Sequence, residues 1–198
     1  MILIGGCARS GTHMLGRVLE PFFDVRFEEE PLFSMFTEYA LRPNESLLVG
    51  IKTLCEELSP DVVLKIHPSI WFPFSLLDAR MVVIRRNAPD TIASMMKHGG
   101  VLSWFQRRRE FPSPNNFLGI TEELAPRYDD LPLEVKCFLW WQSHWARSEE
   151  LRLWGNLVVE YEDFERDARS AARSLYESLG VSKPLPSFHW EGRQLRVA

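Results

Sequence analysis

The chain has 198 residues, which suits one domain over residues 1–198, and 45% of them are hydrophobic, enough to fill a core and to exclude wholesale disorder. Its 23 basic and 27 acidic residues give a formal net charge of −4, so the composition argues against a nucleic-acid-binding protein. Three widely spaced cysteines and the lack of an apolar stretch of about 20 residues predict no disulfide framework and no membrane span, and they favour a cytoplasmic location.

The first part of the chain predicts one strand followed by three helices. Residues 2–4 are an apolar run that ends at two glycines, which is typical of a buried strand. A helix is expected to open at residues 10–12, and its apolar positions stop at Pro21. Helical spacing of apolar residues recurs over residues 32–40 and 44–59.

The middle of the chain predicts two more strands, each followed by polar residues. The strands are expected at residues 62–66 and 81–84, and a helix over residues 87–97 follows the second strand. We expect residues 101–130 to be irregular, because prolines and asparagines interrupt them. A long helix rich in tryptophan is predicted over residues 134–154.

The last part of the chain predicts a fourth strand at residues 156–161 and a helix over residues 164–179 that ends at Gly180. Strands that alternate with helices of this length indicate a parallel sheet covered on both faces. The predicted fold class is therefore α/β, with three α/β/α layers and a central parallel sheet.

The segment between the first strand and the first helix has the composition of an anion-binding loop. Glycines let the main chain approach a ligand closely, and the N-terminus of the helix carries a charge of roughly +0.5. The Arg9 side chain can bind oxyanions in a forked geometry, and the Thr12 hydroxyl adds a donor. The candidate ligand-binding residues of this segment are Gly6, Cys7, Ala8, Arg9, Ser10, Gly11, Thr12 and His13.

The loop differs from the usual phosphate loop of nucleotide hydrolases, which has a lysine after its last glycine, because Thr12 follows Gly11 directly. The run Arg9-Ser10-Gly11-Thr12 instead resembles the loop of the sulfotransferases that use 3′-phosphoadenosine 5′-phosphosulfate (PAPS). That loop reads Lys/Arg-Ser-Gly-Thr-Thr in the family and binds the 5′-phosphosulfate. His13 stands at its fifth position, where it either contacts the phosphosulfate or fills the first turn of the helix.

Two further segments resemble the same family. The family has an arginine after its third strand and a serine eight residues later, and both contact the 3′-phosphate. Arg86 and Ser94 keep that interval, so the resemblance implies a 3′-phosphate site at these two residues. Tyr161 lies in a segment similar to the family's Tyr-Glu-Asp-Leu, which implies that its ring lies beside the adenine.

Two residues compete for the role of general base, the group that removes the proton of the acceptor hydroxyl. His67 and Lys65 resemble the family's Lys-Thr-His-x-Pro segment, whose histidine is the base in the cytosolic branch. An ordinary histidine pKa of about 6.5 suits that role, and Lys65 and Arg9 would stabilise the transferring group. The rival is Glu30, because branches that act on tyrosyl peptides and sugars carry a glutamate in a comparable stretch.

The chain departs from the family near its C-terminal end. The cytosolic branch closes over the 3′-phosphate with an Arg-Lys-Gly segment, and nothing in residues 181–198 matches it. Arg193 and Arg196 are candidates for the same task. The tryptophan that stacks on adenine in that branch is replaced here by Met14.

The resemblance implies a fold of the P-loop nucleotide-binding type and transfer of a sulfuryl group from PAPS to an acceptor hydroxyl, with PAP as the product. We expect a small molecule, a glycan or a lipid as the acceptor, and no metal. Two alternatives stay open. One is a small ATP-dependent P-loop kinase with magnesium at Glu160 or Asp163, and the other is a catalytically silent nucleotide-binding module.

Overall fold

The four apolar runs that the sequence predicts as strands do form strands of a parallel sheet. The structure is a computed structural model, which describes residues 1–27, 30–73, 76–192 and 194–197. The strands are β1 (Ile2–Gly6), β2 (Asp24–Phe27), β3 (Val62–Lys65), β4 (Arg80–Arg85), β5 (Leu157–Glu160), β6 (Phe188–Glu191) and β7 (Gln194–Val197). The α-helices are α1 (Thr12–Leu19), α2 (Leu32–Leu41), α3 (Glu45–Glu56), α4 (Ala88–Met95), α5 (Gly99–Gln106), α6 (Leu133–Leu153) and α7 (Tyr161–Leu179).

The main sheet has the strand order β2-β3-β1-β4-β5, and all four of its strand pairings are parallel. β1 lies in the middle, where Ile2 is in register with Val63 on one side and with Arg80 on the other. The chain builds β2 and β3 on one side of β1 and then crosses to β4 and β5. Ligands of such sheets bind outside the carboxyl ends of the strands, where the direction of the connections reverses.

Side chains of β1 alternate between two buried faces, which is why the strand is apolar at every position. Ile2 and Ile4 pack with the layer of α1 and α7, together with Leu15 and Leu175. Leu3 packs on the opposite face, where α2, α3 and the end of α6 contribute the buried side chains Phe36, Ile51 and Leu151. These two layers around the parallel sheet confirm the predicted α/β/α class.

A third buried cluster joins the segment before α6 to α6 itself. Phe117, Tyr128 and Trp140 are fully buried in it. His144 of α6 is also buried, and its Nε2 accepts hydrogen bonds from the indole N–H groups of Trp71 at 3.1 Å and Trp140 at 3.3 Å. This cluster supports the ends of β3 and β4, where the candidate site lies.

Four features differ from the sequence-based expectation. The edge strand β2 and the antiparallel hairpin of β6 and β7 were not expected. The expectation of irregular structure over residues 101–130 is wrong at its start, because α5 begins at Gly99 and continues to Gln106. His98 caps this helix, since its Nδ1 accepts a hydrogen bond from Val101 N at 3.3 Å. Tyr161 begins α7 and does not belong to a strand.

The described helices include none that is long and apolar enough to cross a membrane. Cys7, Cys55 and Cys137 are buried free thiols, and burial raises the pKa of each thiol well above its ordinary value. The organisation of residues 1–198 as one domain stays a prediction.

Candidate active site

The loop between β1 and α1 turns sharply under steric constraints that require glycine. A Cβ on Gly6, whose φ is 155°, would lie 2.5 Å from the carbonyl oxygen of Ile84. A Cβ on Gly11, whose φ is 107°, would lie 2.5 Å from the Tyr161 ring. The loop closes on itself because the backbone N and the Oγ of Ser10 both donate to the Cys7 carbonyl. Ser10 is therefore a structural residue of the loop.

This loop borders a cleft with a volume of about 390 Å³, which we call the arginine cleft. Its lining comes from the loop, α1, the residues after β4, the start of α7 and strand β7. These residues are Arg9, Gly11, Thr12, His13, Met14, Arg17, Arg86, Ser94, Tyr161, Gln194 and Leu195. The first N–H groups of any helix lack intrahelical acceptors, and the first turn of α1 lies at this cleft. Backbone donors and arginines therefore face the same space.

The two sequence motifs meet in the arginine cleft. Arg9 Nε donates a hydrogen bond to Ser94 Oγ at 3.1 Å, although the residues are 85 positions apart. Arg86 lines the same cleft. The structure thus brings together Arg9, Arg86 and Ser94, as the resemblance leads us to expect.

The Arg86 side chain is about 15% exposed and is not fully paired among the described residues. Its guanidinium carbon lies 4.3 Å from the centroid of the Tyr161 ring. Its closest carboxylate oxygens belong to Asp90 and Glu165, at 3.9 Å and 4.0 Å, which is too long for hydrogen bonds. Among the described residues, Arg86 Nε is buried and has no hydrogen-bond partner. The Arg86 Nε–H group can therefore donate a hydrogen bond to an anionic ligand in the cleft.

The main chain around Arg86 is held from two sides. Glu162, near the start of α7, accepts hydrogen bonds from both the backbone N and the Nδ2 of Asn87, at 2.9 Å and 2.6 Å. The indole N–H of Trp141 donates to the Arg86 carbonyl at 2.9 Å. The position of Arg86 therefore depends on contacts from α6 and α7.

A second cleft of about 260 Å³ adjoins the first, and we call it the histidine cleft. Its lining includes Ala8, Phe33, Lys65, His67, His98, Gly100, Val101, Trp104 and Trp140. Arg9, Thr12 and His13 line both clefts. A group could therefore pass from a ligand in one cleft to a ligand in the other beside these three residues.

His67 lies in the histidine cleft with its ring between aromatic side chains. The Phe33 ring meets it edge-on at 5.7 Å, and Phe117 stacks on it at 6.4 Å. Burial lowers the pKa of His67 to about 3, and the charge of Lys65 adds to this effect. The imidazole is therefore neutral at physiological pH and able to accept a proton, although a pKa this low makes it a weaker base than the ordinary value near 6.5 led us to expect.

Lys65 and His13 form a contact at the boundary of the two clefts. Lys65 Nζ lies 3.1 Å from His13 Nε2. Burial lowers the pKa of Lys65 to about 8, and Arg9 adds to the shift. Burial also lowers the pKa of His13 to about 4, with contributions from Lys65, Arg17 and Arg9. At neutral pH this pair is an ammonium and a neutral imidazole.

Glu30 is placed differently from the other predicted site residues. It is exposed and accepts a hydrogen bond from Ser34 Oγ at 2.5 Å. It is not among the described residues that line either cleft. Its neighbours Glu28 and Glu29 lie outside the described residues.

Three residues of the arginine cleft were missed by sequence reasoning. Arg17 follows His13 by one helical turn, a spacing that could have found it. Gln194 and Leu195 lie on the hairpin that was not expected. Arg196, which was a candidate, instead pairs with Glu191 at 2.7 Å. The other candidate, Arg193, lies outside the described residues.

Comparison with curated proteins relates this site to known enzymes. Sulfotransferase 1E1 of Rattus norvegicus and that of Mus musculus are each 26% identical to the chain over 187 residues. The chain is similar in sequence to these two sulfotransferases over most of its length. The alignments cover 90% of this chain and 58% of each relative, so the chain spans less than two thirds of the length of these sulfotransferases. No protein-family model matches the chain.

Solved structures of sulfotransferases share the fold of this chain. A sulfotransferase from Alicyclobacillus acidocaldarius has a TM-score of 0.55 and 18% identity, covering 96% of this chain and 86% of that one. Mouse sulfotransferase SULT7A1 complexed with PAP has a TM-score of 0.51 and 18% identity, covering 92% and 59%. The likeness to both supports the P-loop-type α/β fold that the motifs predicted.

Proposed function

We propose that this chain transfers a sulfuryl group from PAPS to an acceptor hydroxyl, leaving PAP as the product. The arginine cleft carries the proposal, because Arg9, Arg86 and Ser94 come from separate motifs and line it together. A buried donor without a partner costs about 1–3 kcal/mol. An anionic ligand that accepted a hydrogen bond from Arg86 Nε would remove that cost.

The residues of the arginine cleft fit a ligand with two anionic groups and a base. The glycines of the loop leave room for an anion next to the first turn of α1, and Arg9 adds a charged donor. Arg86 and Ser94 are the proposed ligands of the 3′-phosphate, and the Tyr161 ring is the proposed contact of the adenine. No carboxylate belongs to the described lining of this cleft, which favours a polyanion.

His67 is the proposed general base. It lies in the histidine cleft, its Nδ1 is buried without a partner among the described residues, and it is neutral at pH 7. Glu30 is exposed and outside both clefts, so its position gives it no comparable support.

Arg9 and Lys65 are the proposed donors for the charge that develops during the transfer. Preorganised cations next to the reacting group stabilise a transition state more than a ground state. Lys65 is 1% exposed, so little water competes with a ligand for its ammonium. Arg9 lines both clefts and can contact ligands in each.

The proposed acceptor is a small molecule with a hydroxyl group. The histidine cleft, at about 260 Å³, has room for a compact compound. Phe33 and Trp104 give it aromatic walls, and the described lining has no carboxylate that would attract a cation. The hydroxyl of a glycan or lipid would need the rest of that molecule to lie outside this cleft. The cytoplasmic location stays a prediction.

The two alternatives have less support from the structure. A magnesium-dependent kinase would need free carboxylates, but Glu160 is bound by Arg85 and Asp163 lies 3.2 Å from Arg166. The loop also lacks the lysine of nucleotide hydrolases. A catalytically silent module would not need a buried, neutral histidine beside the anion-binding loop.

Transfer of labelled sulfate from PAPS to a panel of small hydroxyl compounds tests the proposal. We expect turnover by the wild type and a loss of about 10²–10³-fold in Arg9→Ala, the usual effect of removing one preorganised donor. Arg173→Ala is the matched control, because Arg173 is exposed on α7 outside both clefts. Phosphoryl transfer from ATP without any sulfuryl transfer would contradict the proposal.

A further inference from the structure

The contact between His13 and Lys65 has a defined direction. An ammonium can only donate hydrogen bonds, so at neutral pH His13 Nε2 must be the acceptor in the 3.1 Å contact. The neutral imidazole therefore carries its proton on Nδ1. This tautomer follows from the chemistry of the partner.

The His13 ring is fixed in orientation by a second contact. It stacks on the Phe27 ring of β2, with 5.5 Å between centroids and 15° between planes. A ring held by its flat face presents its edge, and therefore Nε2, in a constant direction. The imidazole thus joins α1 to the carboxyl end of β3, where Lys65 lies.

The titratable groups in the described lining of the histidine cleft are all basic or histidine groups. Arg9 comes from the β1–α1 loop and His13 from α1. Lys65 ends β3, His67 follows β3, and His98 follows α4. Arg17 of α1 also faces His13. The residues that β2, α2 and α6 contribute to these surroundings, Phe27, Phe33 and Trp140, are aromatic. A neutral imidazole next to the Lys65 ammonium accepts its hydrogen bond without adding a further positive charge.

We propose that His13 is a positioning residue for Lys65: its neutral imidazole accepts a hydrogen bond from the Lys65 ammonium and holds that charge at the boundary of the two clefts. The consequence for catalysis rests on the proposed function, because the sulfuryl group would cross at this boundary. The loop that this segment resembles has threonine where this chain has His13.

A titration of the lysine side chains by NMR tests the pairing without any donor or acceptor. The chain has five lysines, so labelling at Cε gives a small set of resonances, and the Lys65 signal is the one absent from Lys65→Arg. In the wild type we expect that signal to titrate with a pKa of about 8.

Two variants of His13 separate the hydrogen bond from the packing. His13→Phe keeps an aromatic ring beside Phe27 but removes the acceptor, so the Lys65 midpoint should fall by at least about 0.5 pH unit. His13→Gln keeps an acceptor oxygen and should leave the midpoint within about 0.3 unit of the wild type. A midpoint that is unchanged or higher in His13→Phe would overturn the proposal. His13→Leu makes the same comparison if the phenylalanine variant does not fold.

Activity gives a second and separable readout. If Lys65 acts as an ammonium, the alkaline limb of the pH–rate profile should move to lower pH in His13→Phe and return in His13→Gln. A lowered lysine midpoint in a chain that transfers no sulfuryl group would support the pairing and contradict the proposed function. An unshifted limb in an active enzyme with a lowered midpoint would overturn the catalytic consequence.

Discussion

Arg85 and Arg86 are adjacent at the end of β4, and their surroundings differ. The Arg85 guanidinium binds Glu149 and Glu160 and lies 4.1 Å from the centroid of the Trp145 ring. Arg86 has no carboxylate within hydrogen-bond distance, and its Nε is unpaired among the described residues. One arginine joins β4, β5 and α6, while the other has bonding capacity left for a ligand.

Alanine at position 86 should therefore affect ligand binding, and alanine at position 85 should affect stability. Arg86→Ala should weaken PAP binding by about 10–100-fold, since a hydrogen bond to a charged group contributes about 1.5–3 kcal/mol, and should leave unfolding nearly unchanged. Arg85→Ala should lower the free energy of unfolding by about 2 kcal/mol, less than a fully buried pair because its glutamates are about one third exposed. Calorimetry and denaturant unfolding measure the two effects. Unchanged PAP binding in Arg86→Ala would exclude it as a ligand.

The choice of base is tested by a pair of nearly isosteric substitutions. His67→Asn should lower kcat by about 10²–10⁴-fold, the usual contribution of a general base, while PAP still binds. Glu30→Gln should keep close to wild-type turnover, because Glu30 is exposed and outside both clefts. Steady-state assays of both variants decide the matter, and the reverse pattern would assign the base to Glu30.

His144 makes the stability of the fold depend on pH. Two indole N–H groups donate to its Nε2, and burial lowers its pKa to about 3. In the unfolded chain the ordinary pKa is about 6.5, so the unfolded state takes up the proton first as the pH falls. The stability that neutral His144 contributes is therefore present above about pH 6.5 and is lost as the pH falls from there towards 3.

Thermal unfolding between pH 7 and pH 4 checks this effect. We expect the Tm to fall with pH, and His67 and His13 act in the same direction because their pKa values are also lowered. His144→Gln keeps an acceptor for the indoles without a titrating group, so its Tm should fall less steeply. A Tm that rises on acidification, or an identical slope in the variant, would rule this account out.

Among the elements, the β6–β7 hairpin connects the core with the arginine cleft. Leu195 is 1% exposed and packs with the layer of α1 and α7, while Gln194 and Leu195 line the cleft. The Trp190 indole donates to the Phe164 carbonyl at 3.3 Å and meets the Tyr161 ring edge-on. The hairpin thus forms a wall of the cleft at the end of the chain where the family motif is missing.

Removal of the Leu195 side chain should affect both stability and binding. We expect Leu195→Ala to lower the free energy of unfolding by about 2–4 kcal/mol, as for other buried leucines, and to weaken PAP binding because the wall loosens. Arg196→Ala on the same strand is the control and should cost no more than about 1 kcal/mol, since its pair with Glu191 is exposed. Equal stability of Leu195→Ala and the wild type would show that the hairpin is not anchored.

The apolar strands could be predicted because they are buried on both faces, which leaves a continuous hydrophobic run. β2 (Asp24–Phe27) escaped prediction because it is an edge strand of four residues with a charged residue at every second position. α5 escaped because it starts with two glycines, poor helix formers, and its cap is the His98 ring. Tertiary contacts decide such elements more than local sequence does.

The predicted site residues came from motifs in which spacing carries information. The prediction of Arg86 and Ser94 rests on their resemblance to the family's arginine and serine eight residues apart, and that of the loop from Gly6 to His13 on its composition and the same resemblance. The hairpin residues Gln194 and Leu195 reach the cleft through packing on α1 and α7, which no local pattern records.

For the whole molecule, the strand order explains why distant motifs form one site. β1 lies between β3 and β4, so the segments after these three strands emerge next to each other at the carboxyl edge of the sheet. Arg9 follows β1, Lys65 ends β3 and Arg86 follows β4. The arginine cleft and the histidine cleft therefore adjoin at the point where the direction of the connections reverses.

Isothermal titration calorimetry of the chain with PAP, with AMP and with ATP plus magnesium is the most direct test of the arginine cleft. It measures whether the cleft prefers an adenosine ligand with anionic groups at both its 3′ and its 5′ position. We expect that PAP binds, that AMP binds at least about 10-fold more weakly because it lacks the 3′-phosphate, and that ATP with magnesium does not compete. Binding of AMP as tight as that of PAP, or a preference for ATP with magnesium, would contradict this expectation.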